Sequence, residues 1–173
     1  MAISAVAISG SPRAPSKSKT LAEHVLRALE AEGCATSMID VAALPAEALL
    51  ARTGAPEIDA AIAAVGDARI VVAATPTYRA SYTGALKCFF DLMPQAHLAG
   101  KACVPVQTGG SPAHFLAIEY GLRPLFTSLE GVPVDGIYAT DAQFADGEPD
   151  AALVERARQV ARVAVTVAGA LGR

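Results

Sequence analysis

Three short stretches of this chain combine residue types that can hold an anionic, planar ligand. The first, residues 9–20, reads Ser-Gly-Ser-Pro-Arg-Ala-Pro-Ser-Lys-Ser-Lys-Thr. It sets the hydroxyls of Ser11, Ser16, Ser18 and Thr20 beside Arg13, Lys17 and Lys19, just before a helical pattern. A helix amino terminus offers unpaired N–H groups and about half a positive charge, so a phosphate there meets donors and field together. The stretch is neither a G-x-x-x-x-G-K-[ST] loop nor a G-x-G-x-x-G fingerprint. It fits an anion cradle, and it also fits a Ser/Thr helix cap with a solvated basic loop. The second stretch, residues 75–82, holds Pro76, Thr77, Tyr78, Arg79 and Ser81. Pro76 restricts Thr75 to extended geometry and stiffens a loop that can offer backbone amides to the edge of a heterocycle. The third is Thr108, Gly109, Gly110 and Ser111, where two residues without a Cβ let backbone approach a ring closely. Either of the latter alone is ordinary turn chemistry; three such loops together favour a ligand.

Other chemistry finds little support. His114 fits a packing or capping role better than a catalytic one, and His24 and His97 read as surface residues. No His, Cys or carboxylate pair has metal-ligand spacing, so no metal is expected. Lys87 and Asp91 stand four apart on one helix, the spacing of a surface or interface ion pair. A serine hydrolase is disfavoured because no G-x-S-x-G elbow occurs.

Composition narrows the class. The 173 residues carry a formal charge of −3, with no basic stripe to attract nucleic acid. The hydrophobic fraction of 53% raises the idea of a membrane, but 38 of the residues are alanine and no run reaches the roughly 18 apolar residues of a spanning helix. The apolar start at residues 2–8 lacks a basic flank and is stopped by Gly10-Ser11-Pro12, at strand rather than signal-peptide length. Cys34, Cys88 and Cys103 are widely spaced in apolar surroundings, which fits reduced core thiols. A cytoplasmic protein is expected.

The elements that must position the loops follow from periodicity. Five short apolar runs, at residues 3–8, 35–41, 69–74, 102–107 and 134–138, alternate with helical patterns. Leu21, Val25 and Leu29 mark one helix, Leu86, Phe89, Phe90 and Met93 another, and Leu153, Ala157, Val160, Ala164 and Val167 a last one over about residues 149–170. Residues 45–59 are the least decided segment and fit a short helix and loop before a helix around Ala60. Right-handed crossovers fold this into an α/β doubly wound five-stranded parallel sheet of order 2-1-3-4-5, a single domain over residues 1–173. In such a sheet ligands bind outside the carboxyl ends of the strands, where the three polar loops lie.

A fourth helical pattern, through Phe115, Ile118, Leu122, Leu125 and Leu129, crosses Pro124. Pro124 has no N–H for the carbonyl of Tyr120, so either a one-residue π-bulge near Tyr120 or a simple proline kink is expected.

The chain resembles the flavodoxin-like NAD(P)H-dependent FMN reductases, particularly the reductase components of two-component monooxygenases of the alkanesulfonate or aminopolycarboxylate type. The matching residues are Ser9-Gly-Ser-Pro-Arg13 with Ser16 and Ser18, Ala73-Ala-Thr-Pro-Thr-Tyr-Arg-Ala-Ser-Tyr-Thr-Gly-Ala-Leu-Lys87 leading to Asp91, and Thr108-Gly-Gly-Ser-Pro-Ala-His114 running on to Tyr120-Gly-Leu-Arg-Pro124. The resemblance implies that Ser11, Arg13, Ser16 and Ser18 hold the FMN phosphate. It implies that Pro76, Thr77, Tyr78 and Arg79, with Ser81 in the same loop, line the isoalloxazine and ribityl, and that Thr108, Gly109, Gly110 and Ser111 meet the pyrimidine edge. It also implies a π-helix at Tyr120 in a subunit interface, a homotetramer, and an FMNH2-dependent monooxygenase as recipient of reduced flavin.

Hydride passes from nicotinamide C4 of NAD(P)H to flavin N5 in such enzymes, so no catalytic side chain is required and the protein supplies positioning. The alternatives are an NAD(P)H quinone or azo reductase with tightly bound FMN, and a flavodoxin-type electron carrier. The latter is disfavoured because a chain with no Trp and 5% aromatic residues has little to sandwich a permanently held flavin.

Overall fold

Strands buried on both faces read as unbroken apolar runs, and the computed structural model, which describes residues 2–172, places such runs at the centre of a parallel sheet. β1 (Ser4–Ser9) is followed by α1 (Lys17–Ala31), β2 (Ala35–Asp40), the short α2 (Ala46–Leu49), α3 (Pro56–Asp67), β3 (Ile70–Pro76), α4 (Gly84–Asp91) and β4 (Ala102–Gly109). A π-helix, Ile118–Leu122, runs directly into α5 (Arg123–Ser128). β5 (Val132–Pro133), β6 (Ile137–Thr140), a hairpin of β7 (Phe144–Ala145) and β8 (Glu148–Pro149), and α6 (Ala151–Leu171) complete the chain. The strand order is β2-β1-β3-β4-β5 with parallel neighbours, the flavodoxin-like order expected from the sequence.

Alternation along each strand divides the core between two faces. Ala5, Ala7, Val72 and Val104 pack under α1 and α6, where Leu21, Val25, Leu29, Ala157, Val160 and Ala164 are buried. Val6, Ile8, Val71 and Cys103 face the other way, against Leu86, Phe89, Phe90, Leu122 and Phe126. Ala157, Ala161, Ala164 and Ala168 on the inner stripe of α6 let it lie close to the sheet and to α1. Among the described residues no helix is long and apolar enough to cross a membrane.

The fifth strand departs from expectation. It is not one run over 134–138 but two pieces, β5 and β6, each paired to β4. The cause lies across the ladder. In β4 the carbonyls of Lys101 and Cys103 accept from Val132 and Val134, so odd-numbered residues point their backbone groups at the fifth strand. Pro105 is the next of them, has no N–H to give, and the pairing lapses opposite it. Gly136 fills the gap so closely that a Cβ there would lie 2.6 Å from the Pro105 carbonyl oxygen.

Two further expectations are revised. The fourth helix does run through Pro124, but upstream it is broken: His114 sits in a separate 3-10 turn, Pro112–His114, capped by Ser111. His24 and His97 are not plain surface residues, because the His24 ring meets Glu148 at 3.0 Å and the half-buried His97 ring meets the Ile62 carbonyl at 3.0 Å. Residues 45–59 hold the short helix, α2, and the loop expected before the next helix, α3, whose first turn carries Pro56 and Glu57, both favourable there.

One buried thiol makes stability depend on pH. Burial pushes the Cys103 thiol up from its ordinary 9.0 to about 12, with the nearby Lys101 ammonium opposing. The folded chain therefore keeps this proton where the unfolded chain loses it, and the stability involved is present below pH 9 and lost as pH rises toward 12. Lys101 is itself pulled down by burial, with its Nζ donating to the Gly66 and Ala68 carbonyls, and it acts in the opposite sense. Cys103→Ala is expected to flatten the alkaline loss of stability by up to about 1.4 kcal/mol per pH unit. Urea unfolding at pH 8, 9.5 and 10.5 checks this; equal slopes in both proteins would refute it.

Candidate functional site

Four strands end at one edge of the sheet, and hydrogen bonds tie the loops that leave them into a ring. The Gly10 N–H donates to the Ala74 carbonyl, 2.8 Å, and the Gly10 carbonyl accepts from the Thr83 hydroxyl. The Thr83 N–H in turn donates to the Thr75 hydroxyl, 3.1 Å, so the loop after β1 is fastened to the loop after β3. The Thr77 N–H donates to the Thr108 carbonyl at 2.6 Å, and Gln107 Nε2 donates to the Thr77 hydroxyl at 3.0 Å, fastening the loops after β3 and β4. The Tyr138 hydroxyl, from β6, donates to the Ser111 carbonyl at 2.7 Å. Finally Lys17 Nζ, in the first turn of α1, meets Asp141 Oδ1 at 2.8 Å and closes the ring.

Inside the ring is an open cavity of about 430 Å³. Of the residues singled out in the sequence, Ser11, Arg13, Ser16, Pro76, Tyr78 and Thr108 line it, together with Lys17 and Thr20. The others stand behind or beside them. Ser18 is fully buried, with its hydroxyl 3.1 Å from that of the helix cap Ser16, which itself accepts from the Lys19 N–H. Thr77 is spent on the ties to β4. Tyr78 and Ser81 exchange both backbone hydrogen bonds across a two-residue turn, with Arg79 and Ala80 at φ 51° and 65°. Both turn residues are left-handed, a conformation non-glycine residues adopt at a cost. The turn delivers Tyr78 to the cavity and leaves the Arg79 side chain in solvent. Gly109, Gly110 and Ser111 follow Thr108 in the chain and are not among the residues that line the cavity. A Cβ on Gly109 would lie 2.3 Å from the Tyr138 hydroxyl, so a side chain there would displace that hydroxyl from the Ser111 carbonyl.

Asp141 and Gly147, which also line the cavity, were not singled out in the sequence. Gly147 arrives on the β7–β8 hairpin, whose turn residues Asp146 and Gly147 have φ 52° and 86°. Asp-Gly is a strong hairpin signal, but strands of two residues leave no apolar alternation to flank it. Tyr138 and Gln107 lay inside recognised strands, where only the three-dimensional arrangement shows that they brace the site.

The donor set suits a phosphate. Arg13 is exposed and has no ion pair among the described residues, while Ser16 and Lys17, which also line the cavity, bring the amino terminus of the 15-residue α1 to it. Pro76 and the partly exposed Tyr78 supply apolar surface next to it, and Gln107 Oε1 is buried with no partner. A cationic, hydroxyl-bearing end and an apolar face in one cavity together suit a flavin mononucleotide.

Comparison with known proteins agrees with this chemistry. The profile of the NADPH-dependent FMN reductase family matches residues 3–146. An FMN reductase (NADPH) of Pseudomonas putida is 39% identical, over 87% of this chain and 78% of its own length. A Pseudomonas putida protein named NADH-dependent FMN reductase SfnE is 35% identical, over 97% of this chain and 94% of its own. The apo crystal structure of an NADH:FMN oxidoreductase, EMOB, superposes with a TM-score of 0.87 at 36% identity, covering 97% of this chain and 89% of that one.

Proposed function

The chain belongs to the NADPH-dependent FMN reductase family, and from that premise we propose that it delivers reduced FMN to a separate monooxygenase. The activity itself is NAD(P)H-dependent FMN reduction. When bound in the cavity, FMN supplies the redox chemistry, taking a hydride from the nicotinamide.

The protein's own part is to bind and orient. Arg13, the hydroxyls of Ser11 and Ser16 and the amino terminus of α1 hold the phosphate, with Ser18 setting the Ser16 hydroxyl from behind. Pro76 and Tyr78 bound the ring system, Thr77 and Ser81 fix the loop that carries them, and Arg79 occupies the left-handed turn. Thr108 and the backbone of Gly109, Gly110 and Ser111 face the pyrimidine edge, where N–H groups stabilise negative charge. No side chain has to transfer a proton. The observation that carries this reading is the meeting of an unpaired cation, a helix amino terminus and an aromatic face in one cavity.

We assign the apolar surface around the π-helix to subunit contacts. Phe115, Leu116 and Tyr120 are 57%, 43% and 80% exposed and lie close in sequence, a patch that favours assembly, here into a homotetramer. The free cysteines accord with a reducing, cytoplasmic setting and a single catalytic domain. Mixing the protein with NADH or NADPH and excess FMN should consume the absorbance at 340 nm; turnover of a quinone without turnover of FMN would refute the assignment. Light scattering after size exclusion reads the assembly.

A further inference from the structure

We infer that Asp141 sets how loosely this protein holds FMN, by keeping Lys17 away from the phosphate. The inference rests on the phosphate reading above and concerns a residue that acts through another.

Three cations surround the phosphate loop, and two are already neutralised. Lys19 Nζ lies 2.6 Å from Asp40 Oδ2, and Lys17 Nζ lies 2.8 Å from Asp141 Oδ1. Lys17 Nζ also stands 5.6 Å from the centre of the Phe144 ring, so its head is drawn toward the hairpin. Of the three, only Arg13 has no ion pair among the described residues. Lys17 and Asp141 line the same cavity as Arg13, Ser11 and Ser16, so the pair is part of the ligand's surroundings.

Asp141 is held in place for this. It opens a 3-10 turn, Asp141–Gln143, whose start is braced by a capping box between Thr140 and Gln143. Its second oxygen, Oδ2, lies 3.5 Å from where a Cβ on Gly110 would stand. The Lys17–Asp141 pair is half exposed, with side chains 39% and 58% accessible, and pairs of that kind add little to stability. Its larger consequence is for an arriving dianion, which meets one free cation instead of two, and a carboxylate besides. Weak capture of the phosphate suits an enzyme that must let reduced FMN leave.

Binding of FMN and of riboflavin, read by flavin fluorescence, tests this with Asp141→Asn, Lys17→Met and the double variant, each checked by thermal melting. Asp141→Asn frees Lys17 and is expected to tighten FMN by about three- to tenfold. Lys17→Met leaves an unpaired carboxylate and should loosen FMN, so the two single variants move in opposite directions. The double variant should return near the parent, Asp141→Glu should keep the parent's affinity, and riboflavin should be indifferent to all four. Unchanged or weaker FMN binding in Asp141→Asn overturns the inference, as does tightening that survives Lys17→Met. Arg13→Ala separates the two levels. If it weakens FMN and not riboflavin while Asp141→Asn is inert, only the role of Asp141 falls; if it affects both flavins alike, the phosphate reading falls with it.

Discussion

Arg13→Ala is expected to raise the apparent FMN constant about tenfold while leaving turnover at saturating FMN within about twofold, because a charged hydrogen bond to an anion contributes roughly 1.5–3 kcal/mol and exposure pulls the value toward the lower end. The guanidinium is the cation around the cavity left without a carboxylate partner, so nothing nearby replaces it. On the proposed reading it holds the phosphate end of the ligand, away from the reacting ring, and uniform loss of binding raises KM without lowering kcat. Salt should reproduce part of the effect in the parent protein and less of it in the variant, since the interaction is exposed to screening. Steady-state kinetics at varied FMN and fixed saturating NADH or NADPH measure the split. A fall in kcat with an unchanged FMN constant would remove Arg13 from the phosphate site.

Gly10→Ala carries the second large effect, on the fold and the site at once. A Cβ on Gly10 would lie 2.5 Å from Leu86 Cβ and 2.8 Å from Leu86 Cδ1. Rotating the leucine cannot relieve the first contact, because its Cβ is fixed to the backbone of α4. The helix would have to retreat as a body, yet Thr83 caps it by accepting from the Leu86 N–H and donates its own hydroxyl to the Gly10 carbonyl. Overpacking of this kind costs about 1–3 kcal/mol, and the tied cap places the expectation at the upper end, near 3 kcal/mol. For a chain of this length that corresponds to a fall in Tm of about 6–12 °C. FMN binding should weaken in parallel, since Gly10 leads directly into the phosphate loop. An unchanged Tm would mean that α4 slides freely over the loop.

Much of the site was legible because its chemistry is local. A basic, hydroxyl-rich loop before a helix, a proline-stiffened turn and a glycine pair each announce themselves over a few residues. The apolar runs place them at one edge of a parallel sheet. Pro124 likewise signals a break in the α register at Tyr120, and the Arg123 N–H indeed bonds five residues back, to the Ile118 carbonyl. What could not be read depends on distant partners. Asp141 matters through Lys17, 124 residues away, and Tyr138 through the Ser111 carbonyl and Gly109. The interruption of the fifth strand is caused by Pro105 in the neighbouring one, and no window on residues 132–140 contains that information. The turn of Arg79 and Ala80 that presents Tyr78 is a further case: it is left-handed without glycine or asparagine, and so carries no local signal.

That interruption also divides the sheet energetically. β6 is hydrogen-bonded to β4 and is separated from β5 by residues 134–136, so the wall bearing Tyr138 and Asp141 hangs from a short edge segment rather than from the central ladder. Loosening it breaks strand pairing with β4 alone and leaves β1, β2 and β3 joined, but it also lifts Ile137 and Ala139 out of the core beside α6. A change at this margin therefore reaches the cavity wall through one strand pair and one patch of core, while the middle of the sheet keeps its ladder.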